Sequence, residues 1–136
     1  MRNAIRPMCG AAMLVILSFS GCGESKQDYA NGIRAAIAQD KQASAQVSGS
    51  LGIWEALTGA APEKVEQYVG SLKAIDMNRC PQDFRAAYQA HIYAWENYAT
   101  AYRAGRDMSA LKKAIDDTWL VVNDRAREYG VQDALK

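Results

Sequence analysis

Phe84, Tyr88, His91, Trp95, Tyr98 and Tyr102 follow one another at intervals of four, three, four, three and four residues. That spacing puts six rings on one face of an α-helix and scatters them over both faces of a strand. A chain holding such a stripe must supply other apolar helical faces to cover it. Three more segments do. Tyr29, Ile33, Ala36, Asp40, Ala43, Val47, Leu51 and Trp54 keep the same rhythm, with Asp40 and the Ser48, Gly49, Ser50 cluster as interruptions. Val65, Tyr68, Val69, Leu72 and Ile75 form a second stripe, and Leu111, Ile115, Trp119, Val122, Ala126 and Tyr129 a third. Past residue 21, alanine supplies 21 of 115 residues against three threonines and six valines. Alanine is the best helix former and β-branched residues favour strands, so composition agrees with spacing.

The punctuation predicts four helices. Helix A covers about 28–58, kinked or broken near 49–52. Helix B opens at Pro62, helix C at Cys80-Pro81 and ends at Gly105, and helix D is capped by Ser109 and stopped by Gly130. The connections are short, which favours antiparallel neighbours. The expected fold is all-α: a small antiparallel bundle of about four helices over 29–136.

The first 21 residues differ from the rest. Arg2 and Arg6 precede an uncharged, mostly apolar run over 8–20. A basic start followed by a short apolar stretch is the layout of a secretory signal peptide. The run falls short of the roughly 20 residues a membrane-spanning helix needs. It ends in Phe19-Ser20-Gly21-Cys22, which resembles the lipobox of bacterial lipoproteins, with Phe19 where leucine is usual. The resemblance covers residues 1–23 only. It implies removal of 1–21 and a Cys22 carrying an S-diacylglycerol and an N-palmitoyl group, with 22–28 as a tether. Two acyl chains already suffice for stable anchoring. Gly23 stands where the inner-membrane retention signal has aspartate, so the resemblance implies a periplasm-facing anchor on the outer membrane. The competing interpretation is an ordinary secretory leader with an incidental cysteine.

Charge and motif content exclude several function classes. The whole chain has 16 bases and 15 acids; without the leader the balance is 14 against 15, so nucleic-acid binding gains no support. Phosphate-loop, dinucleotide and nucleophile-elbow glycine patterns are absent, as are the haem-attachment and di-iron motifs. No enzyme activity and no cofactor or metal are expected. Asp116, Asp117 and Asp124 lie among Lys112, Lys113, Arg125 and Arg127, the pattern of a solvated helix face.

Four candidate sites remain on helix C, the first three with a structural alternative. Cys80, next to Pro81 and Arg79, is a candidate reactive thiol activated by the helix end, or a small apolar packing residue. His91 is a candidate ligand for haem or metal, with Met77 or Met108 as an axial partner, or a hydrogen-bonded core histidine. The ring stripe including Trp95 is a core or a ligand cage. Tyr93, off the stripe, joins Glu96, Asn97 and Arg103 in a candidate exposed contact patch. Two functions fit. One is a non-enzymatic envelope lipoprotein that contacts another envelope protein or assists assembly; the other is a periplasmic small-ligand binder with an aromatic-lined cavity. A flat apolar patch would favour the first and an interhelix cavity the second.

Overall fold

Helix starts in this chain are built from short-range hydrogen bonds, and the first is a capping box. Ser25 Oγ accepts from the Asp28 backbone N–H at 3.2 Å, and Asp28 Oδ2 accepts from the Ser25 N–H at 3.0 Å. This reciprocal pair satisfies two otherwise orphaned donors. Helix α1 therefore runs Lys26–Ser48 and begins inside the stretch expected to be tether. Gly49 ends it at φ 62°, a left-handed conformation that favours glycine, and its N–H reaches the Ala45 carbonyl at 2.8 Å.

The computed structural model describes residues 23–49 and 51–132. The leader, its lipobox and Cys22 lie outside the described residues.

The single helix expected over 28–58 is two: α1, and a short α2 over Ile53–Leu57. The glycines at 49 and 52 place the break where the sequence suggested it. Helix α3 (Pro62–Lys73) opens on Pro62, whose fixed φ suits the first helical position. Helix α4 (Gln82–Arg103) follows Pro81, and α5 is Ser109–Glu128. Ser109 is not the cap expected of it but the first residue of the helix. Met108 is the N-cap residue, and Asp107 before it accepts from the Ser109 N–H at 3.1 Å and from Ser109 Oγ at 2.8 Å through Oδ1. The described residues are all-helical, in five helices packed together.

Helix α4 packs against α3 and α5, and α1 packs against α2 and α3. The core draws on every stripe: Ile33, Ala36 and Ile37 from α1, Leu57 from α2, Val65 and Leu72 from α3, Phe84, Tyr88, Trp95 and Tyr98 from α4, Val122 and Ala126 from α5. Phe84 and Ile33 are fully enclosed, and burying each such side chain contributes about 2 kcal/mol. Exposed ion pairs Lys73–Glu96 and Arg103 with Glu63 and Glu66 link α3 to α4 at the surface, where water and salt screen them. Among the described residues, no helix is long and apolar enough to cross a membrane.

At one point two backbones nearly touch. A Cβ on Gly32 would lie 2.1 Å from the Arg79 carbonyl oxygen. The absence of a side chain lets α1 lie directly on the segment that leads into α4.

Candidate functional site

Asp40 sits on the buried face of α1, 6% exposed. Tyr88 donates its hydroxyl to Oδ2 at 2.8 Å, and Tyr68 donates to Oδ1 at 3.2 Å. The two tyrosines come from α4 and α3, so one carboxyl group joins three helices. Burial raises the Asp40 pKa above the usual carboxylate value, against the hydrogen bonds from Tyr88 and Tyr68, which lower it. Both tyrosine hydroxyls are held well above their ordinary range, first by burial and then by the Asp40 charge beside them. They remain protonated donors.

His91 occupies the next turn of α4, 4% exposed. Trp95 Nε1–H donates to His91 Nε2 at 3.2 Å, which makes Nε2 the acceptor nitrogen. The proton is then assigned to Nδ1, which lies 3.0 Å from Thr118 Oγ1 on α5. Thr118 Oγ1 is within 2.9 Å of the Ala114 and Ile115 carbonyls, so it donates to α5 and accepts from the ring. Burial pushes the imidazole down to about 4, which leaves it neutral at physiological pH. Both ring nitrogens are engaged inside the fold, in the hydrogen-bonded core arrangement.

The rings continue from His91 towards α2. Trp54 stacks on Trp95 with centroids 5.0 Å apart and planes 23° apart. Tyr68 meets Trp95 edge-on at 4.9 Å, and Trp119 lies 5.1 Å from the His91 ring. Aromatic pairs of this kind contribute about 0.5–1.5 kcal/mol beyond the area they bury. Tyr102 closes the far end by donating to the Ala60 carbonyl at 2.7 Å.

Between these groups lies a cavity of about 420 Å³. Asp40, Tyr68, His91, Trp54, Trp95 and Trp119 line it, and the exposed Lys41 and Asp116 stand among its outer residues. All three tryptophans of the chain are in the wall. The volume falls within the range of small-molecule sites, roughly 300–1,000 Å³, and an apolar wall with a few polar groups is their usual make-up.

The sequence-derived candidates therefore separate. His91 and Trp95 meet in this wall. Tyr93 does not: it is 62% exposed, and its expected neighbours Glu96 and Arg103 pair with α3 instead. Cys80, the candidate reactive thiol or packing residue, is buried. Desolvation pushes the thiol up to about 11, while Arg85, rather than Arg79, is the cation that opposes it. This is the environment of an inert packing thiol.

Asp40 and Trp54 are the site residues that sequence reasoning passed over as interruption and core. The available signal was an acid at a position where every neighbour on the stripe is apolar. No protein-family profile matches this chain, and no curated protein or solved structure matches it either.

Proposed function

We propose that this chain is a lipid-anchored, periplasm-facing envelope protein whose helical domain binds a small ligand in the cavity lined by residues of all five helices. The anchor would be Cys22, on the resemblance of residues 1–23 to a lipoprotein leader, and the outer membrane its location. The observation that carries the ligand-binding reading is the cavity itself: about 420 Å³, walled by Trp54, Trp95 and Trp119, with a buried carboxyl group at Asp40. The space opens to the surface past Lys41 and Asp116, so a small molecule can reach the buried rings and carboxyl group at its floor. The reading is non-enzymatic. Short connections support an antiparallel, up-and-down order for the long helices.

Docking of another envelope protein is the competing role. It would use the exposed apolar side chains, of which Tyr93, Leu120 and Val121 are the largest on α4 and α5. Exposed apolar side chains in such numbers are ordinary on soluble surfaces, so the cavity is the more specific feature.

Purification of the acylated protein from its native membrane, followed by native mass spectrometry, tests the reading. A retained small molecule, lost in Trp54→Ala with helicity intact, is the expected result. A stoichiometric protein partner with no small molecule would replace ligand binding by docking. For the anchor, Cys22→Ala should move the protein out of the detergent-requiring membrane fraction; retention there would remove the lipid from the proposal.

A further inference from the structure

Asp40 also bears on the chemistry of the ligand. Each of its oxygens lies within hydrogen-bond distance of a tyrosine hydroxyl, an arrangement that suits an ionised carboxylate, which only accepts. Hydroxyl dipoles stabilise that charge without cancelling it. Asp40 takes part in none of the ion pairs among the described residues, and a buried anion without a counter-charge is costly. A carboxylate offers about four acceptor positions; Tyr68 and Tyr88 use two.

The same cavity is lined by Trp54, Trp95 and Trp119, and aromatic faces attract cations. A tryptophan face is the strongest of the aromatic cation sites, and here one is already so used: Lys112 Nζ lies 5.6 Å from the centre of the Trp54 ring. Resting on the proposed binding role of the cavity, we propose that its ligand is an organic ammonium ion, with N–H donors on Asp40 and an apolar body among Trp54, Trp95 and Trp119.

The other charges near the cavity do not oppose this. Lys41 and Asp116 are exposed and of opposite sign, and Lys112 is exposed as well. Water and salt screen such groups far more than a buried carboxylate. His91 is buried and accepts a hydrogen bond from Trp95, so it adds no positive charge. The buried end of the cavity is thus anionic and aromatic, the combination that distinguishes a protonated amine from a neutral molecule of the same shape.

Two soluble probes isolate the charge: 2-phenylethylammonium and 2-phenylethanol, titrated into the full-length protein at neutral pH and followed by calorimetry. Tryptophan fluorescence gives a second readout, since all three tryptophans of the chain line the site. The ammonium ion should bind at least about tenfold more tightly than the alcohol. Asp40→Asn should erase that preference while leaving alcohol binding in place. Equal binding of the two probes by the unaltered protein would overturn the ammonium assignment and leave the ligand-binding role standing. Binding of neither would overturn both. Should Asp40→Asn fail to fold, the two probes on the unaltered protein still decide, because they differ chiefly in charge.

Discussion

Two points along α1 are held in opposite ways. Near its start, Gly32 lies on the Arg79 carbonyl so closely that a methyl group would not fit. Two turns later, Asp40 reaches Tyr88 only through a hydroxyl, with a cavity and a wall of rings beside it. One point is closed by the smallest residue in the protein. The other is held by large side chains arranged around a charge. At Gly32 backbone meets backbone with no room to spare, whereas at Asp40 side chains border a space open to the surface. If that division is correct, each point should fail in its own way.

The largest expected effect belongs to the aromatic region and appears on acidification. His91 has a folded-state pKa of about 4 against an ordinary 6.5, because burial disfavours the charged ring. A depressed pKa means the unfolded chain takes up the proton first. Stability is therefore full above pH 6.5 and is lost as the pH falls towards 4. At 1.36 kcal/mol per pKa unit the loss attributable to His91 is about 3 kcal/mol at pH 4. Asp40 works in the other direction, since its raised pKa favours the fold as it protonates, but it is common to both proteins compared. Urea titrations of the unaltered protein and His91→Gln at pH 7 and pH 4 should show the unaltered protein losing about 3 kcal/mol more. Parallel losses would mean that His91 is not buried as a neutral ring.

The closed point should fail at any pH. In Gly32→Ala the new methyl group cannot occupy its position 2.1 Å from the Arg79 oxygen, so α1 or the segment before α4 must move. Overpacking of this kind costs about 2 kcal/mol, or roughly a 10 °C fall in melting temperature for a domain of this size. Circular dichroism melts measure it. The same variant sharpens the comparison: if α1 shifts as a body, affinity for an aromatic probe should drop too, whereas a purely local adjustment would leave it unchanged.

How much of this was legible in the sequence depends on how far apart the partners are. The α4 ring stripe, the break at 49–52 and the stops at Gly105 and Gly130 are local patterns, and each is where spacing and glycine placed it. The start of α1 was placed about two residues late and the cap of α5 one residue late, at Ser109 rather than Met108, because polar residues near a helix start offer competing local hydrogen bonds. The site depends on long separations. Asp40 meets Tyr68 and Tyr88 across 28 and 48 residues, and Gly32 meets Arg79 across a similar stretch. Within its own helix, Asp40 weakens an apolar stripe; only the packed fold shows that two hydroxyls come to meet it. Cys80 illustrates the reverse case. Its local setting suggested activation by a helix end, and the burial that overrides this is a property of the whole core.

The smallest expected effect comes from a glycine at neither point. Gly70 lies inside α3 and is exposed, and a Cβ there would meet nothing within 4 Å. Its φ is that of an ordinary helix residue, since it is not among the glycines with positive φ. Alanine at such a position loses less backbone entropy on folding, by about 1 kcal/mol. Gly70→Ala should therefore stabilise the protein by up to about 1 kcal/mol, raising the melting temperature by roughly 5 °C, with no change in probe affinity. The two glycine-to-alanine exchanges are chemically identical, so opposite signs would locate the difference in what each methyl group meets. A destabilised Gly70→Ala would mean that the exposed face of α3 is covered by something, and the close contact at Gly32 would no longer be the particular feature that sets α1 against α4.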